Sequence, residues 1–182
     1  LCLILYPYIS NYLFENRTDG IVSAVEAQSE SAEANQYDED IEAAKAYNEN
    51  IVTGKIKLKD PFDENAEDED TKEYKSLLNM TEDGVMGFIK IPSIDVSLPI
   101  YHGTSEETLE KGAGHLQGTS LPIGGPSTHT VITGHTGLSS AKLFTDLIEL
   151  EEGDIFFLNV MGEKMAYKID QIQKVLPKDI DS

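Results

Sequence analysis

The residue best placed to do chemistry in this sequence is a histidine held between two glycines. His135 lies in the pentapeptide TGHTG, directly after the run TVIT of residues 130–133. Imidazole titrates near neutral pH, so it can serve as a base, an acid or a metal ligand. Glycines beside it allow tight turns that leave the ring accessible. The residues alone leave a second interpretation open, in which His135 hydrogen-bonds its own turn and does no chemistry.

The other three histidines are expected to be structural. His102 lies at the end of a predicted strand, His115 opens another, and His129 precedes a third. No two histidines have the i, i+4 spacing, with a carboxylate between them, that marks a helical zinc site. The sequence also contains no nucleophile elbow, phosphate-binding loop or dinucleotide fingerprint. His135 is therefore the histidine for which both a chemical and a structural role stay open.

The single cysteine and the most acidic run are both interpreted as chemically inert. Cys2 is the only cysteine, so no disulfide can form within the chain, and in an apolar run it acts as a small hydrophobe. The run DENAEDED, residues 63–70, could offer oxygen ligands to Ca²⁺. It lacks the glycine and the terminal glutamate of a calcium-binding loop, so we interpret it as a solvated charge run. We expect no metal and no cofactor.

The charge balance excludes nucleic acid as a partner. The chain carries 33 acidic and 14 basic residues, and its net charge is −19. Nucleic acids and anionic membrane surfaces need a basic footprint, which is missing here. Much of the negative charge lies between Glu26 and Asp83.

The first 14 residues, LCLILYPYISNYLF, form an apolar and aromatic segment. The fully apolar part is too short to cross a bilayer alone. We expect it to be the outer end of a transmembrane helix, with its tyrosines at the interface and a break at Pro7. The chain does not start with Met, so we also expect a longer precursor. A buried N-terminal helix of a soluble protein is the alternative.

The remaining pattern predicts helices first and strands afterwards. Residues 21–50 have one apolar stripe at helical spacing, and Tyr74 to Met80 predicts a short helix. From Gly84 onward the alternation predicts about six strands and no repeated βαβ unit. Short helices are predicted after Ser105, as an N-cap, and over residues 139–150, opened by Ser139 or Ser140. The fold class is thus mostly β, an irregular barrel with short helices, and His135 lies between a strand and a helix.

The segment MGFIKIPSIDVSLPIYHGTSEETLEKGAGHLQGTSLPIGGPSTHTVITGHTGLSSAKLFTDLIELEEGD resembles the core of a class C, or pilin-polymerising, sortase of Gram-positive bacteria. The likeness continues through the following hairpin to Pro177. Upstream, YPYISNYLFE resembles the end of that family's membrane anchor, and the tripeptide DPF at residues 60–62 resembles its lid motif. Several separate motifs therefore match in the same order.

The resemblance implies a cysteine transpeptidase. Such an enzyme cuts an LPXTG-like sorting signal between Thr and Gly through a thioacyl intermediate, which a lysine of another pilin resolves. His135 matches the family's catalytic histidine. Asp60, Pro61 and Phe62 match the lid, with Asp60 as an anion that mimics substrate and Phe62 as a ring that blocks the cleft.

The resemblance also implies a thiol and a guanidinium that this sequence does not supply. In the family both follow the hairpin, but here the only cysteine is Cys2 and the only arginine is Arg17. We expect the chain to be a fragment that holds about six of the family's eight barrel strands and is inactive by itself. A non-catalytic, peptide-binding module with the same barrel is the alternative.

These expectations divide the chain into three parts. Residues 1–14 are the end of a membrane anchor, residues 15–83 the N-terminal helices and the lid, and residues 84–182 a partial barrel. The implied location is the cell membrane, crossed once, with the barrel outside. The implied partners are pilins that carry sorting signals and an acceptor lysine.

Overall fold

Six strands form one sheet that curls into a half-barrel. The computed structural model describes residues 2–56, 69–138 and 140–175. The elements, in chain order, are α1 (Cys2–Ser31), α2 (Asp38–Val52), α3 (Glu69–Ser76), β1 (Val85–Ile91), β2 (Val96–His102), α4 (Glu106–Lys111), β3 (Ala113–His115), β4 (Ile132–Thr133), β5 (Ile155–Val160) and β6 (Glu163–Lys168). The mostly β fold with short helices is confirmed, as is the number of strands.

The strand order in the sheet is β4-β3-β2-β1-β5-β6. Neighbouring strands are antiparallel except β2 and β3, which run parallel and are joined through α4. This is a single βαβ crossover and not a repeated unit. It brings α4 close to the end of the sheet where β4 lies, and that end holds His135.

Turn chemistry fixes the strand connections. Pro92 opens a 3₁₀ turn over Pro92–Ile94, which ends at Asp95 with φ +52°. Met161 and Gly162, both at positive φ, close the β5–β6 hairpin. Two successive positive φ angles suit the right-handed twist of a two-residue hairpin. The predicted hairpin is therefore confirmed.

The N-terminal helices differ from the sequence expectation. α1 continues through Pro7, so the predicted break there is wrong; Pro7 has no N–H to donate within the helix, but the turns on both sides of it stay helical. The single helix predicted over residues 21–50 is wrong, since Asn35 adopts φ +70° between α1 and α2. Asparagine tolerates this left-handed conformation, which stops a helix.

Helix α2 nevertheless carries the predicted apolar stripe. Ala44 and Tyr47 are buried, and Ile41 and Ile51 pack against the same core. Helix α1 lies on the sheet, where Lys90 on β1 forms an ion pair of 2.8 Å with Glu26. Within the described ranges, no helix is both long and apolar enough to cross a membrane.

Elements near His135 are shorter than the sequence predicts. β3 and β4 contain three and two residues. The helix predicted over residues 139–150 is wrong: only Thr145–Glu149 is helical, and it is a 3₁₀ helix. The short helix expected from Tyr74 lies earlier, at Glu69–Ser76.

Candidate active site

His135 lies two residues beyond the end of β4, as expected from the sequence. Its side chain is 25% exposed, so the ring is open to solvent at one side and held by protein at the other. A buried histidine that only satisfies its own turn would be closed to a reactant. The position is therefore compatible with proton transfer to a bound molecule.

The ring of His135 faces a carboxylate that the sequence analysis missed. Nε2 lies 3.2 Å from Oε1 of Glu106, in the first turn of α4. The Nε2 atom itself is shielded from solvent and has no hydrogen bond within the described residues. The contact therefore lacks hydrogen-bond geometry, and it is an ion pair only when the ring is protonated. No local signal links two residues 29 positions apart, but the N-cap at Ser105, which is confirmed, fixes the start of the helix that carries Glu106.

The backbone of His135 is held by Phe144. The Phe144 N–H donates to the His135 carbonyl at 3.1 Å. The Phe144 ring lies against Gly134, where a Cβ would come within 2.6 Å of a ring carbon. The glycine before His135 is thus required for close packing, because any side chain would push the ring away.

The glycine after His135 has a different role. Gly137 adopts φ +73° and has open space around its Cα. Its N–H donates to Thr145 Oγ1 at 2.9 Å, which ties the turn to the following 3₁₀ helix. Left-handed backbone is easy for glycine and strained for other residues.

His115 is structural, as predicted. The side chain is fully buried, and Nε2 lies 2.9 Å from the Ser120 carbonyl, which it can reach only as a donor. Nδ1 is therefore an acceptor, and the Tyr74 hydroxyl lies 2.9 Å both from Nδ1 and from the His115 carbonyl, so its one proton is shared between these two acceptors. Burial lowers the pKa of His115 to about 4 and raises the pKa of Tyr74. Both groups stay neutral, so they form a buried hydrogen-bond network.

His102 and His129 are also confirmed as residues without a reactive environment. His102 Nε2 is 2.7 Å from the Leu77 carbonyl, and the ring stands edge-on to Tyr74. Burial lowers the pKa of His102, and the Gly84 and Leu77 carbonyls oppose that effect. His129 is exposed.

Some predicted site residues lie outside the described part of the chain. These are the lid residues Asp60, Pro61 and Phe62, and residues 63–68 of the acidic run. Arg17 is described and is exposed on α1. The lid therefore stays a prediction.

The arrangement can hold an imidazole and move a proton. The carboxylate of Glu106 lies beside the ring and is itself largely exposed to solvent. An imidazolium at this place could protonate a leaving amine. Within the described residues no thiol or guanidinium faces the ring.

Comparison with known proteins gives a consistent result. Residues 89–182 match the family model described as "Sortase domain". Sortase A of Streptococcus agalactiae serotype III (strain NEM316) is 31% identical over 100 residues, which cover 53% of this chain and 40% of that protein. The chain thus spans less than half the length of this curated relative.

Solved structures match over more of the chain. Sortase C1 of Streptococcus agalactiae superposes with a TM-score of 0.76 at 38% identity, over 88% of this chain and 80% of that one. The sortase C of Streptococcus pneumoniae, whose structure bears on catalysis and pilin substrate specificity, gives a TM-score of 0.72 at 38% identity. This match covers 89% of the chain described above and 79% of the solved one.

Proposed function

The chain belongs to the sortase family, and from this premise we propose that it provides the histidine of a cysteine transpeptidase that joins pilin subunits through an LPXTG-like sorting signal. The observation that carries the proposal is the position of His135. Its ring lies just beyond β4, partly open to solvent, and faces the carboxylate of Glu106. A general acid needs this combination of access and electrostatic support.

The proposed reaction uses the imidazole twice. A thiolate attacks the carbonyl of the Thr–Gly bond, the C–N bond breaks, and the leaving amine takes a proton from the imidazolium of His135. A thioester remains. A lysine amine then attacks it and gives its proton back to His135, and the thiolate leaves as the new amide forms.

The thiol and the guanidinium are proposed to come from polypeptide outside residues 1–182. The only cysteine and the only arginine of this sequence, Cys2 and Arg17, both lie on α1 and match neither catalytic position of the family. A guanidinium at the site would stabilise the oxyanion of the tetrahedral intermediate.

The choice of pilin as substrate rests on two supports. One is the likeness to the sortase C of Streptococcus pneumoniae, a protein whose pilin substrate specificity has been addressed. The other is the DPF tripeptide at residues 60–62, which resembles a class C lid. In the proposal Asp60 and Phe62 cover the cleft. Replacing both with Ala should speed thiol labelling in the complete enzyme, and an unchanged rate would make this segment a plain linker.

The proposed location is the outer side of a cell membrane, held by the N-terminal segment. Large apolar side chains on the first half of α1 are exposed, which suits contact with a lipid interface; they are Leu5, Tyr6, Tyr8, Ile9, Tyr12 and Leu13. Fractionation of cells that express the native polypeptide checks this, and recovery in the soluble fraction would contradict it.

The test of the function is a thioacyl-trapping assay on the native polypeptide that contains this chain. Incubation with an LPXTG peptide should produce an acylated protein by intact-mass spectrometry, and His135→Ala should abolish it. His129→Ala is the matched control, because that histidine is exposed and precedes β4 whereas His135 follows it, and it should leave acylation unchanged. Peptide binding without acylation in the unmodified polypeptide would favour a binding module and refute the transpeptidase.

A further inference from the structure

Helix α1 is hydrogen-bonded to the loop that follows His135. Asn11 Oδ1 accepts the Lys142 N–H at 2.7 Å, and Ser10 Oγ donates to the Ser140 carbonyl at 3.1 Å. These contacts join residues about 130 positions apart in sequence. They are side chain-to-backbone bonds, so they fix the path of the loop regardless of its side chains.

The loop in turn holds His135. Two residues beyond Lys142, the Phe144 N–H donates to the His135 carbonyl, and the Phe144 ring fills the space beside Gly134. Leu143, between them, has φ +42°, a conformation that a non-glycine residue keeps only when its neighbours fix it. The position of Lys142 therefore determines that of Phe144, and Phe144 determines that of His135.

The loop is partly packed and partly open on its α1 side. Ala141, Leu143 and Phe144 are buried in the core. A groove of about 400 Å³, open to solvent, separates Tyr8 and Tyr12 of the helix from Leu138 of the loop. The two bonds from Ser10 and Asn11 therefore add a directional restraint beside the packed side chains.

The Asn11 amide is itself oriented by its own helix. Its Nδ2 donates to Glu15 Oε1 at 2.8 Å, one turn further along α1. Because the amide nitrogen is engaged there, the amide oxygen is directed to the Lys142 N–H. Asn11 thus acts as an oriented acceptor.

We propose that Asn11 is a positioning residue for His135, acting through Lys142 and Phe144. In this role helix α1 sets the position of the imidazole, although α1 itself contributes none of the reacting atoms. The catalytic meaning of this coupling rests on the proposed function, but the coupling itself is a property of the folded chain and can be measured without any reaction.

The experiment is amide hydrogen exchange and histidine-ring NMR on the full 182-residue chain. Asn11→Ala should speed exchange at the Phe144 amide by about tenfold, as loss of one hydrogen bond predicts. It should also shift the ring resonances of His135. Asn16→Ala is the matched control, because the Asn16 side chain is exposed and bonds only within α1, to the Tyr12 carbonyl. It should change neither signal.

A rescue variant distinguishes positioning from general stability. Asn11→Asp combined with Glu15→Gln keeps an oxygen acceptor for Lys142 and reverses the amide–carboxylate pair, so it should return Phe144 exchange and the His135 resonances towards those of the unmodified chain. Unchanged Phe144 exchange in Asn11→Ala would overturn the proposal. Equal acceleration in β1 and β5 would overturn it too, since Asn11 would then be a general stability residue.

Neither readout involves a thiol or a peptide. If the proposed function fails but Asn11→Ala still displaces His135, the structural coupling stands. If acylation depends on His135 but Asn11→Ala leaves its ring and the Phe144 amide unchanged, the coupling is wrong and the function stands.

Discussion

The Nε2 atom of His135 lies 3.2 Å from the Oε1 atom of Glu106, so the imidazole beyond β4 and the first turn of α4 meet in one charge contact. The α4 crossover between β2 and β3 brings them together, because it carries Glu106 to the end of the sheet where β4 ends. The contact gives the imidazole an anionic neighbour that no sequence pattern links to it.

Replacing Glu106 with Gln should slow acylation of the native polypeptide about two- to fivefold, as expected when an exposed ion pair is lost. The effect should shrink in high salt, because ions screen exposed charges. Glu110→Gln on the same helix is the control, since it removes the same charge from another exposed position of α4. Equal rates for the two variants, measured by stopped-time mass spectrometry, would show that Glu106 does not assist His135.

The two glycines that flank His135 should respond differently to substitution. Gly134→Ala places a Cβ within 2.6 Å of the Phe144 ring and should lower the free energy of unfolding by about 1–3 kcal/mol, as overpacking does. It should also displace the His135 ring resonances. Gly137→Ala meets no neighbour and should cost about 1 kcal/mol from its positive φ alone. Chemical denaturation with NMR of His135 checks both, and unmoved ring signals in Gly134→Ala would contradict the packing role of Phe144.

The elements that the sequence predicted correctly are those determined by residues close together in the chain. Alternation around residues 161–164 predicted the β5–β6 hairpin, although Glu163 and Lys164 are paired in β6 and the turn is only Met161-Gly162. Ser105 predicted the start of α4. His135 was placed correctly after a strand for the same reason, since the apolar run and the glycines are adjacent to it in sequence.

The sequence could not predict what depends on distant partners. The helix expected over residues 139–150 fails because the Phe144 amide bonds to the His135 carbonyl instead of to the carbonyl four residues earlier, and because Leu143 adopts φ +42°. Glu106 was missed for the same reason. Asn35 is a local signal for a helix end, but the helical spacing of apolar residues around it indicated one continuous helix.

Protonation of His115 should destabilise the fold at pH values above those at which most carboxylates titrate. Burial holds its folded pKa near 4, whereas the unfolded chain has the ordinary value of 6.5. Between these values the unfolded state binds a proton that the folded state does not, so stability falls as pH drops from 6.5 and this contribution levels off below 4. The full effect is about 3 kcal/mol.

Urea denaturation between pH 7.5 and pH 5 measures the effect. His115→Gln should be less stable at pH 7.5, because it loses the network with Tyr74, but its stability should fall less with acid. His129→Gln should keep the slope of the unmodified chain, since that side chain is exposed. If His115→Gln leaves the slope of stability against pH unchanged, the acid sensitivity comes from other groups.

Asn48 should be among the most sensitive polar residues of the N-terminal helices. Its side chain is 4% exposed, and it bonds both backbone groups of Leu121: Oδ1 accepts the N–H at 2.6 Å, and Nδ2 donates to the carbonyl at 3.1 Å. Asn48→Ala leaves the buried Leu121 N–H without its partner, whereas the Leu121 carbonyl still accepts from the Ile123 N–H at 2.8 Å. We therefore expect a loss of about 1–3 kcal/mol in the free energy of unfolding. Asn50→Ala on the same helix removes only an exposed contact with Lys55, and should cost under about 0.5 kcal/mol. The urea midpoints of the two variants, compared at constant m-value, measure this difference. Similar losses of unfolding free energy in both variants would mean that α2 does not hold the loop at Leu121.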